Sequence, residues 1–195
     1  MDSSTRDILK NKKVGIAGCG GLGSNCAVGL ARVGVGRLIV ADFDVVSESN
    51  LNRQYFFRDQ IGTKKAFALR DNIRRIDTQI QVDAHDRKLD KPAIAELFGG
   101  CDVIVEAFDL TEMKLMIVEA VSEFFPEKPL VAGSGLAGWG DNESLKTLRL
   151  GNITVCGDGK TEVSDQLPPL GPRVAIVANM QANVVLEILL SNQKV

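Results

Sequence analysis

Between Lys13 and Asp109, short apolar runs alternate with longer stretches whose apolar positions recur at helical spacing. KKVGIAG at 12–18 reads as a strand closing on glycine, and GLGSNCAVGLARVG at 21–34 as a helix stopped by Gly34 and Gly36. RLIVADFD at 37–44 is a second strand. After a polar segment come a helix at 64–77, a strand opening at Thr78, and a helix at 91–100 entered through Pro92. CDVIVEAF at 101–108 is a buried strand, 111–125 a helix and 128–134 a strand. Parallel strands need crossovers, and helices supply them, so this alternation predicts an α/β fold with helices on both faces of a doubly wound, mainly parallel sheet. The last third changes character. GLAGWGDN at 135–142 is a glycine-rich loop, SLKTLRL and NITVC predict an antiparallel hairpin, and 171–190 a long closing helix. No internal repeat or linker interrupts the chain, which reads as one domain over 1–195.

Composition narrows the possible partners. The chain has 195 residues, 45% hydrophobic and 25% charged, with a formal net charge of -2, so it lacks the basic excess that would hold nucleic acid. The N-terminal MDSSTRDILKNKK has no apolar core of a secretory signal, and no uninterrupted apolar stretch reaches the roughly 18 residues of a membrane span, so a cytoplasmic protein is expected. Cys19, Cys26, Cys101 and Cys156 are scattered without a CxxC pair, which predicts reduced thiols and no zinc site.

Gly18-Cys19-Gly20-Gly21-Leu22-Gly23 fits GxGxxG directly after a strand and at the start of a helix. There the glycines permit a tight turn and close approach of phosphate to the backbone, while helix N-terminal amides favour anionic oxygens. Asp42 ends the second strand 19 residues past Gly23, the place of a ribose-binding acid. These features fit a dinucleotide as well as ATP, so an NAD-dependent oxidoreductase stays open. The run DFDVVSESNLNRQ adds Asn50, Arg53 and Gln54 just beyond Asp42, with Lys65 a little further on in IGTKKA. Two cations close to a nucleotide suggest charge stabilisation on a polyphosphate undergoing substitution.

Taken together, GCGGLG at 18–23, DFDVVSESNLNRQ at 42–54, GTKKA at 62–66, Asp109 and GPRVAIVANMQA at 171–182 resemble the ThiF/MoeB/HesA family, relatives of the ubiquitin-activating enzymes. The short length and GDG at 157–159 look most like a compact ThiF subfamily. The resemblance implies a Rossmann-like fold and ATP-dependent adenylation of the C-terminal glycine of a ubiquitin-like sulfur carrier, ThiS-like, in thiamine thiazole biosynthesis. By the same resemblance Asp42 would hold ribose, Asn50, Arg53, Gln54 and Lys65 would line the phosphates, Asp109 would bind Mg²⁺, and the protein would be a homodimer. A non-catalytic nucleotide- or carrier-binding protein is the other alternative. Asp109-Leu-Thr-Glu112 also fits a capping box, with Asp109 as N-cap.

The chain departs from the family pattern in places. Arg6 is the one arginine before the first strand and matches the family's N-terminal arginine poorly. The zinc-binding CxxC pairs are missing. Cys156 falls in the stretch where relatives carry a sulfur-handling cysteine, a role that requires a lowered thiol pKa. Cys19, Cys26 and Cys101 read as packing residues, His85 as a solvent-exposed residue in a charged loop, and Trp139 as a lid, a carrier contact or a packing anchor.

Overall fold

The computed structural model describes residues 3–191. Its centre is a seven-stranded sheet, built from β1 (Lys13–Ala17), β2 (Arg37–Asp42), β3 (Gln81–Asp86), β4 (Val103–Glu106), β5 (Leu130–Gly133), β6 (Lys146–Leu150) and β7 (Ile153–Gly157). The spatial order is β3-β2-β1-β4-β5-β7-β6. All neighbours run parallel except β6 and β7, which pair antiparallel. A two-residue turn, Gly151-Asn152, joins them, with Gly151 at φ 61, as such a tight hairpin requires.

The helices are α1 (Ser3–Leu9), α2 (Gly21–Arg32), α3 (Lys65–Ile76), α4 (Lys91–Phe98), α5 (Thr111–Phe124) and α6 (Gly171–Leu190). Alternation along the strands divides the core. Val14 and Ile16 of β1 join Leu38, Val40, Val103 and Val105 under α2, α3 and α6. Ala17, Ile39, Ala41 and Ile104 face α4 and α5. Gly15 lies on that second face, where a Cβ would come within 2.5 Å of the Phe98 ring.

The predicted layout is therefore present, with differences at the margins. The N-terminal stretch forms α1, whose Leu9 is fully buried. Strand β3 includes His85, half-buried and opposite Ala41, rather than leaving it in an exposed loop. Helix α6 is long and apolar enough by itself to cross a membrane, although half of its apolar stretch is buried inside the protein. Arg6 packs beside Gly34 and pairs with Asp77 at 3.7 Å, at the far end of α2 from the glycine loop.

Phe98 is among the largest fully buried side chains, so Phe98→Ala should cost about 3–5 kcal/mol, whereas truncating the exposed Leu115 should cost no more than about 0.5 kcal/mol. Urea denaturation of the two variants checks both; equal effects would mean that α4 is not seated as described.

Candidate functional site

The turn from β1 into α2 is closed on itself. Gly18 sits at φ 97, and a Cβ on it would come within 2.7 Å of the Ala107 carbonyl oxygen. A Cβ on Gly23 would overlap the Gly18 carbonyl, and one on Gly21 would press on Val174 at 2.8 Å. Gly20 differs, since the nearest atom to its Cβ position is Gln54 Nε2 at 3.8 Å. Protein packing thus demands three of the glycines and leaves space over the fourth.

Asp42 ends β2 pointing at this turn. Its Oδ2 accepts the Cys19 N–H at 2.6 Å and its Oδ1 the Asp44 N–H at 2.8 Å, so the carboxylate braces the loop and offers a ligand only its remaining lone pairs. Burial raises its pKa, opposed by those two N–H groups and by Lys65. Lys65, the first residue of α3, is buried, with Nζ 2.8 Å from Asp44 Oδ2.

Segment 50–55 is fastened to the first turn of α2. Asn25 Nδ2 donates to the carbonyls of Gly21 at 2.7 Å and Arg53 at 2.9 Å, and the Tyr55 N–H donates to Ser24 Oγ at 2.9 Å. Asn50 Oδ1 accepts the Ser47 N–H at 3.0 Å, which shapes the turn and leaves its amide hydrogens available. The Arg53 guanidinium donates to Ser49 O at 2.9 Å and Asn52 Oδ1 at 2.8 Å, both neutral acceptors. Gln54 Oε1 is buried without a donor, while Nε2 of the same amide lies 3.8 Å from the Gly20 Cβ position. An acceptor left in this way suits a ligand bearing hydroxyl or amino hydrogens.

Asp109 lies three residues past β4, which ends at Glu106 rather than at 108. The N-cap of α5 is Leu110, without a side-chain capping bond, so the expected capping box is not formed. The Asp109 carboxylate is exposed and makes no ion pair or hydrogen bond among the described residues. Its neighbour Phe108 has its backbone nitrogen 3.5 Å from the Gly18 Cβ position, which places the 107–109 turn against the glycine loop.

Cys156 is fully buried in β7, and burial pushes its thiol up to about 11, opposed by a Thr147 hydrogen bond and by Arg149. It is a packing residue and not the accessible low-pKa thiol that sulfur handling requires. Cys19, Cys26 and Cys101 are buried as expected. Trp139 is no packing anchor: it is 70% exposed.

The pattern described as the ThiF family matches residues 1–195. The chain belongs to the ThiF family. The adenylyltransferase and sulfurtransferase MOCS3 of Dictyostelium discoideum is 29% identical over 201 residues, covering 95% of this chain and 45% of that protein. The probable adenylyltransferase/sulfurtransferase MoeZ of Mycobacterium tuberculosis is 37% identical over 127 residues, covering 65% of this chain and 32% of that protein. This ThiF-family chain therefore spans less than half the length of either. Among solved structures, the tRNA N6-threonylcarbamoyladenosine dehydratase TcdA of E. coli, in complex with AMP, superimposes with a TM-score of 0.88 at 20% identity, covering 97% of this chain and 90% of that one. At that identity the likeness speaks for the fold alone.

Two ion pairs at the same end of the sheet escaped the sequence reading. Glu106, buried at the end of β4, receives Lys114 Nζ on both oxygens at 2.9 Å, and the same ammonium donates to Gly133 O at 2.9 Å. Burial raises the Glu106 pKa and Lys114 opposes it. Asp158 meets Arg173 at 2.6 Å, both buried. The available signals were single charged residues in apolar settings: Glu106 in VIVEAF and Arg173 in GPRVAIV.

Burial alone would raise the Asp158 pKa, but the N–H groups of Thr161 and Lys160, the Thr161 hydroxyl and Arg173 hold it at about 2, below its ordinary 3.8. The folded chain thus binds this proton more weakly than the unfolded one. The resulting stabilisation is present above the ordinary value and is lost as pH falls towards about 2. The urea midpoint of the native chain should exceed that of Asp158→Asn at about pH 5, with the gap narrowing towards about pH 2. A gap independent of pH would refute the assignment.

Proposed function

We propose that this chain is an adenylyltransferase that uses ATP to activate the C-terminal glycine of a ubiquitin-like carrier protein. The carrier class we infer is a ThiS-like sulfur carrier of thiamine thiazole formation. The observation that carries the reading is the set of groups gathered at the glycine loop: Gln54 Nε2 lies 3.8 Å from the Gly20 Cβ position, Arg53 lies against Gly21 and is tied to it by Asn25, and Lys65 pairs with Asp44 just past Asp42. The adenylyltransferase names of MOCS3 and MoeZ support it. A cytoplasmic homodimer completes the proposal.

In this reading an oxygen of the carrier's C-terminal carboxylate attacks the α-phosphorus. The bond from that phosphorus to the bridging oxygen breaks, pyrophosphate leaves, and the acyl-adenylate forms. Arg53 exchanges its neutral carbonyl partners for phosphate oxygens, a stronger charge-assisted pairing. Lys65, Asn50 and Gln54 orient the phosphates, while Asp42 keeps the glycine loop rigid and turns its free lone pairs to ribose. No group of three or more His, Cys, Asp or Glu among the described residues could hold a metal by itself. Mg²⁺ bound with a nucleotide needs only one or two carboxylates beside the phosphates, and the unpaired Asp109 fits that demand. When bound, such an ion supplies positive charge to offset that on the leaving pyrophosphate.

Carrier-dependent exchange of labelled pyrophosphate into ATP tests the reading directly. Arg53→Ala and Asp109→Ala should each slow exchange at least about tenfold, roughly 1.4 kcal/mol of transition-state stabilisation. The reading fails if no ubiquitin-like carrier supports exchange, or if the chain binds NAD tightly and ATP not at all.

A further inference from the structure

Arg173 stands in the first turn of α6 with its side chain 4% exposed, and its partner Asp158 is 3% exposed. Nη2 donates to Asp158 Oδ2 at 2.6 Å and to Ser144 Oγ at 3.4 Å. Nη1 donates to the Gly140 carbonyl and, at 3.4 Å, to that of Asp141. Asp158 also accepts the N–H groups of Lys160 at 2.7 Å and Thr161 at 2.8 Å, and the Thr161 hydroxyl at 2.8 Å. One guanidinium therefore ties together the loop after β5, the turn after β7 and the start of α6.

Packing alone does not account for this arrangement. A buried ion pair is a weak stabiliser compared with apolar residues of the same volume, and Arg173 Nε is left without an acceptor. The loop has bonds of its own, with the Gly138 N–H on the Pro168 carbonyl at 2.9 Å and the Ser144 hydroxyl on that of Asp141 at 2.8 Å, and the tie adds a restraint on the stretch around Asp141. Gly138 and Gly140 have positive φ, and Asp141, at φ 46, is the one non-glycine residue described with such a backbone. A strained residue persists where its surroundings over-determine it, and here Arg173 grips the carbonyls on both sides of Asp141, those of Gly140 and of Asp141 itself.

The loop's position suggests what the conformation serves. The strand order reverses between β1 and β4, so the ligand crevice opens at their carboxyl ends. The glycine loop forms its nucleotide side. The loop after β5, one strand beyond β4, borders the other side and presents the exposed Trp139. The nucleotide side also has contacts that do not involve α6: Asp42 accepts the Cys19 N–H at 2.6 Å, and Asn25 donates to the Arg53 carbonyl at 2.9 Å.

We propose that Arg173 and Asp158 are positioning residues that hold loop 135–145 at the border of the crevice, and so set the affinity for the acyl substrate while ATP affinity is set by the glycine loop. This rests on the adenylation reading above. Trp139 is the protein's only tryptophan, so its fluorescence reports on this loop alone.

The test compares the native chain with Asp158→Asn and with Arg173→Lys, which keeps the charge but cannot span acceptors on both segments. Pyrophosphate exchange with a ThiS-like carrier should show the carrier KM raised about fivefold or more in each variant, with the ATP dissociation constant within about twofold of native. Time-resolved anisotropy should show faster depolarisation of Trp139, and thermal midpoints would confirm that both variants are folded. Parallel losses in carrier and ATP affinity would mean a general structural role and would overturn the proposal, as would an unchanged KM or unchanged anisotropy. Absence of exchange in the native chain would remove the adenylation reading itself, while the anisotropy would still decide whether the pair holds the loop.

Discussion

The arrangement depends on how closely the backbone passes itself at the exit of β1. Gly18 and Gly23 are in contact across the turn, and both lie against the end of β4, so no side chain fits at either position. That closure brings the first turn of α2 directly under the crevice. Ser24 and Asn25 then reach across to Tyr55 and Arg53 from this turn, so the location of the polar segment follows from the turn rather than from its own conformation. Asp42 closes the assembly from beneath by taking the Cys19 N–H. A shift in the glycine loop would carry Arg53 and Gln54 with it.

Buried charge is concentrated at the same end of the molecule. Among the described residues the buried charged side chains include Asp42, Lys65, Glu106, Asp158 and Arg173. Asp42 and Glu106 are the last residues of β2 and β4, Lys65 pairs with Asp44 just past β2, and Arg173 pairs with Asp158 just past β7. Charge withdrawn from water costs stability unless it is paired and hydrogen-bonded, and such groups gather where geometry matters more than stability. The opposite end, around α1 and Gly34, holds the exposed Arg6–Asp77 pair instead.

What the sequence made legible was what short-range patterns encode. Period-2 and period-3.6 spacing yielded the strands and helices, and the glycine loop and SNLNRQ run were visible because their residues are neighbours in the chain. The end of β4 was overshot because Glu106 turns its carboxylate back onto the Phe108 N–H at 2.7 Å, ending the strand in a stretch that is still apolar. Asp109 failed as a cap because α5 begins one residue later, at Thr111. The Asp158–Arg173 tie joins segments that only the completed sheet brings together. On α6, Arg173, Val177, Gln181 and Val185 share one buried face, and Gln181 Nε2 donates to the Glu106 carbonyl at 2.9 Å. Two polar residues on the inward stripe of so apolar a helix were the readable trace of that network.

The two cations next to the glycine loop are not equally available to an anion. Arg53 is bound to a backbone carbonyl and an amide oxygen, both neutral, so a phosphate oxygen outcompetes them with a gain in charge-assisted bonding. Lys65 already has a full negative charge at 2.8 Å, and its side chain is 8% exposed. Taking it from Asp44 would leave that carboxylate without its cation close to Asp42, whose own ionisation Lys65 supports. An arriving polyphosphate therefore gains most from Arg53, while Lys65 serves first to support the ionised Asp42 and to hold Asp44 in place. Asp44, half-exposed, is the member of that trio with room to move, so any redirection of Lys65 towards a ligand has to begin with Asp44 turning into solvent.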